Sequence, residues 1–181
     1  MMLGSECREW LLKLARGVVD SAARGERHVA AAADGIPTEA RQVRGGFVTL
    51  TIRGALRGCI GEIFPRRELW RVVEEQAYNA AVNDPRFEPL RASEAVAVRI
   101  EISALTPPEV IGSWREIEVG RHGVVLERGE TGAVFLPQVA TEQGWDVETM
   151  LSHLAYKAGL PREAWREGCS FQVFEAEVFG E

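Results

Sequence analysis

A short segment of the chain, Leu56 to Gly61, reads Leu-Arg-Gly-Cys-Ile-Gly and combines a thiol, a guanidinium and two glycines. Successive side chains of a strand point to opposite faces, so Arg57 and Cys59 are predicted to share one face. A guanidinium beside a thiol favours the thiolate, and glycine lets a ligand approach the backbone closely. Cys59 is therefore a candidate nucleophile with Arg57 as its electrostatic activator. The alternative is a small core cysteine, with Arg57 neutralising a carboxylate.

A second polar segment, residues 83–87, reads Asn-Asp-Pro-Arg-Phe and places an amide, a carboxylate, a guanidinium and an aromatic ring in one turn. Its proline rigidifies the turn, and loops held in this way often line binding or catalytic sites. Asp84 is a candidate base, or a group that orients Arg57, and Arg86 would help it to position a substrate. Alternatively, Asn83 and Asp84 only cap backbone groups while Arg86 bridges to a carboxylate, because such residues before proline are common in turns.

Glu62 and His122 join Asn83 and Arg86 as residues predicted to line a ligand or partner surface. Glu62 follows the hexapeptide directly, and its alternative interpretation is a solvated residue at a sheet edge. His122 lies beside Gly123 in a predicted loop and is alternatively an exposed or core-lining histidine. The three histidines and three cysteines show no recognised metal-ligand spacing. We therefore predict neither a metal site nor a cofactor.

Hydrophobic periodicity and turn residues predict the elements that must position these side chains. Strands joined by hairpins or long excursions, rather than by regular βαβ alternation, favour an α+β fold with a mainly antiparallel sheet and helices packed on it. The predicted helices cover residues 6–22, 28–33, 68–83, a stretch beginning at Pro137, and 147–158. The predicted strands cover residues 47–53, 56–63, 95–105, a short run near 117, 124–126, 133–136 and 171–179, and Gly54-Ala55 separates the first two.

Composition limits the class of protein. A chain of 181 residues with 46% apolar residues can bury a sizeable core, and we expect one domain over 1–181. The net charge of −6 and the scattered basic residues argue against nucleic-acid binding. Widely spaced cysteines without a Cys-x-x-Cys pair indicate a reducing compartment. The charged first ten residues, and the lack of any stretch of ~18 apolar residues, favour a cytoplasmic protein that neither crosses a membrane nor is exported.

The hexapeptide and four further segments, taken together, resemble the AMMECR family, the family of AmmeMemoRadiSam system protein A. The further segments are NAAVNDPRFEPL at 79–90, IEISALTPPEVI at 100–111, the long match at 123–161 and CSFQVFEAEVF at 169–179. Several ordered motifs over residues 40–180 are more specific than any one of them. The resemblance implies an α+β fold of two lobes, the larger made from both chain ends and the smaller from a central insertion.

The same resemblance implies no established activity, and it leaves open whether the protein is an enzyme. The name of the bacterial system implies association with a Memo-type protein and a radical-SAM protein. Our preferred interpretation is a binding or adaptor module that presents a cleft beside the hairpin to such a partner, to a peptide or to a small ligand. The alternative is an enzyme with Cys59 as nucleophile, acting on a small molecule or peptide. Nucleic-acid binding is a third and more remote alternative.

Overall fold

The structure, a computed structural model, describes residues 2–26 and 35–181. The backbone divides into two compact units. The first unit combines Met1–Leu105 with Glu177–Glu181, and the second is formed by Thr106–Ala176. This division confirms the predicted α+β fold, with a larger lobe made from both ends of the chain and a smaller lobe made from a central insertion.

The elements are numbered here in chain order, and short 3-10 turns are given by range alone. The helix predicted over 28–33 lies outside the described residues. The elements are α1 (Ser5–Ala23), a 3-10 turn (Thr38–Arg41), β1 (Gly46–Ile52), β2 (Ala55–Glu62), α2 (Leu69–Val82), α3 (Ala92–Ala95), β3 (Val98–Leu105), β4 (Glu109–Ile111), a 3-10 turn (Trp114–Glu116), β5 (Gly123–Arg128), β6 (Thr131–Phe135), α4 (Pro137–Gln143), α5 (Val147–Lys157), a 3-10 turn (Ala164–Arg166), β7 (Ser170–Phe174) and β8 (Ala176–Gly180).

The first unit consists of a four-stranded sheet with α1 and α2 on one face. Its strand order is β2-β1-β3-β8, so β2 forms one edge, and β1 pairs antiparallel with both of its neighbours. Both helices bury a single apolar stripe because their apolar residues recur every three or four positions. Leu11 and Val18 of α1 join Val73 and Ala77 of α2, with Leu50 of β1, in one buried cluster. The opposite face of the sheet carries Thr49, Thr51 and Glu101 among its side chains.

A two-residue turn joins β1 to β2. Arg53 and Gly54 occupy the turn with φ of 53° and 80°. Two successive positive φ values define the type I′ turn, whose twist matches that of a hairpin. The turn thus begins one residue earlier than the Gly54-Ala55 pair indicated by the sequence, because Ala55 is already paired with Ile52. Arg53 is the one residue other than glycine with positive φ in the described part of the chain.

Replacing Arg53 with glycine should raise the free energy of unfolding by about 1 kcal/mol, because the left-handed region strains a residue that has a β-carbon and does not strain glycine. Urea denaturation at pH 7 measures the change. Arg53→Lys keeps the β-carbon and should stay within about 0.5 kcal/mol of the wild type. A glycine variant less stable than the wild type would contradict the argument from backbone strain.

The register of the hairpin changes two residues beyond its turn. Thr51 pairs with Leu56, but Leu50 pairs with Gly58. Arg57 is therefore an extra residue without a partner in β1, which is a β-bulge. Because a bulge interrupts the alternation of faces, the rule that placed Arg57 and Cys59 on one face does not hold across this step.

The second unit contains an antiparallel sheet of strand order β4-β7-β5-β6. Leu126 of β5 and Phe171 of β7 pack with Met150 and Leu154 of α5 and with the buried indole of Trp165. The strand expected near residue 117 is absent. Trp114–Glu116 forms a 3-10 turn there instead, in which the Ser113 side chain and the Glu116 side chain cap each other's backbone N–H groups.

Two further predicted strands have different limits in the structure. The strand predicted over 95–105 begins at Val98, because Ala92–Ala95 forms the short helix α3. The single strand predicted over 171–179 is two strands, of which β7 belongs to the second sheet and β8 to the first. They separate at Glu175, whose backbone N–H donates to the Thr106 side-chain oxygen at 2.9 Å and whose carbonyl accepts from Thr106 N at 2.9 Å.

The length of the helices bears on membrane insertion. α1 has 19 residues, with Glu6, Arg8 and Glu9 in its first half. Within residues 2–26 and 35–181, no helix has both the length and the apolar character needed to cross a bilayer.

Candidate functional site

The close approach of α2 to β2 positions the candidate site. A β-carbon placed on Gly58 would lie 2.1 Å from the carbonyl oxygen of Ala80, so glycine is required where the helix crosses the strand. The helix ends at Val82 because Pro85 cannot continue it. The chain therefore leaves α2 beside the outer edge of β2, and Asp84 arrives next to the backbone of Cys59.

Asp84 and Arg86 hold both backbone groups of Cys59 at the free edge of the first sheet. The Cys59 N–H donates to Asp84 Oδ2 at 2.8 Å, and Arg86 Nη2 donates to the Cys59 carbonyl at 3.1 Å. Arg86 also donates from Nε to Asp84 Oδ1 at 2.9 Å and from Nη2 to Oδ2 at 2.7 Å. We call this arrangement the edge clamp. It occupies strand groups that would otherwise be open to pairing with another chain.

The edge clamp keeps the Asp84 carboxylate ionised. Hydrogen bonds from the Arg86 side chain hold the pKa of Asp84 well below its usual range, although burial acts in the opposite direction. The Asp84 side chain is 1% exposed, whereas that of Arg86 is 53% exposed. The pKa of Arg86 is raised, mainly by its hydrogen bonds to Asp84. A carboxylate held by so many donors is a weak base.

Arg57 is engaged by a different carboxylate. Its Nε and Nη2 donate to the two carboxylate oxygens of Glu94 at 2.9 and 3.1 Å, and its guanidinium lies 5.9 Å from the centre of the Phe87 ring. This bidentate pair lowers the pKa of Glu94. The Nη1 atom of Arg57 is buried without a hydrogen-bond partner among the described residues. The guanidinium that contacts Cys59 is that of Arg86, through the Cys59 carbonyl.

The Cys59 side chain lies on the face of the sheet opposite the helices. It is half-buried, and the Thr49 hydroxyl is 3.3 Å from its Sγ atom. Thr49 pairs with Cys59 on one side and with Glu101 on the other, so the three residues form a row across β2, β1 and β3. In the next row, the Phe47 ring lies over Gly61, where a β-carbon would be 2.3 Å from the ring.

The side chains of the other residues predicted to line a surface have hydrogen-bond partners outside the edge clamp. Glu62 accepts two hydrogen bonds from Arg67, the shorter at 2.6 Å. The Asn83 amide donates to Asn79 of α2 at 2.9 Å. His122 belongs to the second unit, where its Nδ1 accepts from the backbone N–H of Glu118 at 3.1 Å. The structure thus brings Cys59, Asp84 and Arg86 into direct contact, with Arg57 reaching the same Phe87 ring as Arg86.

Sequence reasoning did not name Thr49 or Glu94, which contact Cys59 and Arg57. Thr49 could have been suggested as a cross-strand neighbour from the hairpin, but counting back from the turn without the bulge pairs it with Gly58. Glu94 carries a local signal, because its side chain also accepts from the backbone N–H of Arg91, three residues earlier, at the start of α3. Its pairing with Arg57 is long-range and has no such signal.

The fold and the edge clamp define an α+β protein of two units, in which β8 forms the second edge of the first sheet. The AMMECR1 family model matches residues 12–179, and the chain belongs to the AMMECR1 family. It is similar to Protein PF1979 of Pyrococcus furiosus, with 40% identity over 97% of this chain and 89% of that protein. It is also similar to Protein MJ0810 of Methanocaldococcus jannaschii, with 39% identity over 94% of this chain and 88% of that protein.

A solved structure agrees with the fold. The crystal structure of the uncharacterised protein PH0010 from Pyrococcus horikoshii is 37% identical and superposes with a TM-score of 0.88. The match covers 99% of this chain and 93% of that chain. The two-unit architecture is therefore shared by this relative.

Proposed function

We propose that the chain is a binding module that docks a Memo-type protein and a radical-SAM protein through the surface of the β1–β2 hairpin. The observation that carries this proposal is the engagement of the candidate catalytic groups in internal contacts. Asp84 is held by Arg86 and by the backbone of Cys59, and Arg57 is held by Glu94. These contacts support a preorganised surface rather than a set of groups free to transfer protons.

The identity of the partners in this proposal comes from the resemblance to AmmeMemoRadiSam system protein A. The geometry supports the mode of binding. The edge clamp and the Arg57–Glu94 pair fix the hairpin at its outer edge, so a partner would meet a rigid strand and would lose little entropy in ordering it. The half-buried Cys59 and Thr49 of the hairpin and the exposed Glu101 of β3 present hydrogen-bonding groups in one row on the same face of the sheet.

Co-purification of the chain with recombinant Memo-type and radical-SAM proteins tests the proposal. The wild-type chain should bind at least one of them, with no consumption of metabolites in a screen. Arg57→Ala should weaken the association about tenfold, because it frees Glu94 and loosens the hairpin edge. Arg128→Ala, which removes an exposed arginine of the second unit, is the control. Binding that is insensitive to Arg57→Ala would contradict docking through this surface.

A second candidate function, an enzyme with Cys59 as nucleophile, is favoured by one observation. The Cys59 thiol has a hydroxyl neighbour in Thr49, and the Arg86 guanidinium donates to the backbone carbonyl of Cys59. Both groups can stabilise a thiolate without any contribution from Arg57.

Iodoacetamide should label Cys59 at least about tenfold faster than Cys7 in the native chain at pH 8, because the thiolate is the reactive form. Burial raises the pKa of Cys7 to about 11 and also raises the pKa of Cys169. Peptide mass spectrometry after timed quenching measures the three rates within one sample. If Cys59 labels no faster in the native chain at pH 6.5 than in the same chain in urea, the nucleophile role is excluded.

A further inference from the structure

The turn end of the hairpin carries a second surface, distinct from the edge clamp. It consists of Arg53 and Leu56 of the hairpin with Arg99 of β3, and we call it the turn-end surface. All three residues are exposed, and Leu56 is 43% exposed. Leu56 and Arg99 both pair with Thr51 of β1. The side chains of Leu56, Thr51 and Arg99 therefore lie in one row on the same face of the sheet.

The two arginines of the turn-end surface are exposed and have no acidic partner within residues 2–26 and 35–181. Neither side chain forms a hydrogen bond or an ion pair with any residue in those ranges. Glu101 lies on the same face two residues further along β3, but it is not paired with Arg99 in the structure. Strand geometry separates the Cα atoms of Arg53 and Arg99 by roughly 8 Å, so a single carboxylate group could contact both guanidinium groups.

The fold does not require an arginine at position 53. Its φ of 53° favours glycine or asparagine at this turn position. The guanidinium therefore occupies a position where a smaller residue would fit with less strain. The chain as a whole carries a net charge of −6, so two exposed arginines that lack an acidic partner among the described residues, beside the exposed Leu56, are a local exception.

We propose that the turn-end surface docks an acidic, partly apolar segment of the partner protein. Its carboxylates would contact Arg53 and Arg99, and its apolar side chains would cover Leu56. The exposed leucine favours a protein segment over a nucleic-acid backbone, which the net charge of the chain repels. This proposal rests on the proposed binding function and assigns it a contact surface and a partner chemistry.

The test compares binding of each recombinant partner, Memo-type and radical-SAM, to variants that keep the fold. Arg53→Gly should weaken binding about tenfold while its melting temperature rises, a combination that loss of structure cannot produce. Arg99→Glu should weaken binding at least as much, and wild-type binding should weaken between 50 and 300 mM NaCl, as expected for charge-steered docking. Arg66→Glu, at an exposed arginine beyond the other end of β2, should bind like the wild type.

Each contrary result has a separate meaning. Wild-type binding that neither Arg53→Gly nor Arg99→Glu changes would overturn the turn-end surface and leave the proposed function standing. Absence of binding by the wild type to either partner would overturn both. Tighter retention of an RNA or DNA oligonucleotide than of either partner, lost in Arg99→Glu, would replace the protein segment with nucleic acid and overturn the proposal.

Discussion

Replacing Gly58 with alanine should lower the free energy of unfolding by about 3 kcal/mol, because the new β-carbon would lie 2.1 Å from the carbonyl oxygen of Ala80. The clash is with helix backbone, so a side-chain rotation cannot relieve it. Either α2 moves away from β2 or the strand moves out of register, and both lose contacts of buried residues such as Ala80 and Ala77. Urea denaturation followed by circular dichroism measures the change.

Gly112→Ala is the matched control for this substitution. A β-carbon on Gly112 would meet only Glu116 Oε1, at 3.6 Å, which is an ordinary contact. Its stability should stay within about 0.5 kcal/mol of the wild type. A Gly58→Ala chain that unfolds at the same urea concentration as the wild type would show that the crossing of α2 over β2 is not tightly packed, and the positioning of Asp84 would need another cause.

Asp84→Ala should also lower the free energy of unfolding by about 3 kcal/mol. The substitution leaves the Cys59 N–H and the Arg86 Nε–H without their acceptor. The exposed part of Arg86 can be rehydrated, which keeps the cost below that of a fully buried broken pair. Asp20→Ala, which removes an exposed partner of Arg16 on α1, should cost no more than about 0.5 kcal/mol. Arg86→Ala combined with Asp84→Ala should cost less than the sum of the single changes.

The effect of Asp84→Ala should depend on pH in a defined direction. Because the pKa of Asp84 is lowered in the folded state, its contribution is fully present at pH values above the ordinary carboxyl pKa and is lost as pH falls. The gap in stability between wild type and variant should therefore begin to shrink below about pH 4. A gap that stays constant from pH 7 to pH 2, or that widens on acidification, would show that the carboxylate charge does not stabilise the edge clamp.

The helices and the hairpin could be predicted from sequence because local patterns encode them. The apolar spacing of α1 and α2, the stop at Pro85 and the alternation in β3 depend on residues close together in the chain. The division of residues 171–179 between two sheets could not be predicted in this way. Apolar residues recur along the whole run, with single polar residues at Gln172, Glu175 and Glu177, and no turn residue marks a break. The break between β7 and β8 coincides with the long-range pairing of Glu175 with Thr106.

The partners of the candidate site were the least predictable feature. Arg57 and Cys59 were expected to act together because alternation places residues two apart on one face. The bulge at Arg57 removes that premise, and Glu94, which lies 37 residues away in the chain, engages the guanidinium instead. Asp84 and Arg86 were predicted as site residues from the turn that contains them. Their hydrogen bonds to the Cys59 backbone, however, depend on how closely α2 approaches Gly58. Contacts of this kind depend on packing rather than on local residue preference.

The place of β8 in the first sheet affects how the protein is made. The ribosome synthesises all of Thr106–Ala176 before it completes β8, the strand that borders β3. Until then, β3 is an open edge of the nascent chain, and the backbone N–H of Leu3 and the side chain of Arg8 lack their common partner Glu177. The inserted unit is continuous in sequence and is synthesised in full before the surrounding unit receives its last strand. That interval is when the emerging chain is most open to association through its sheet edges.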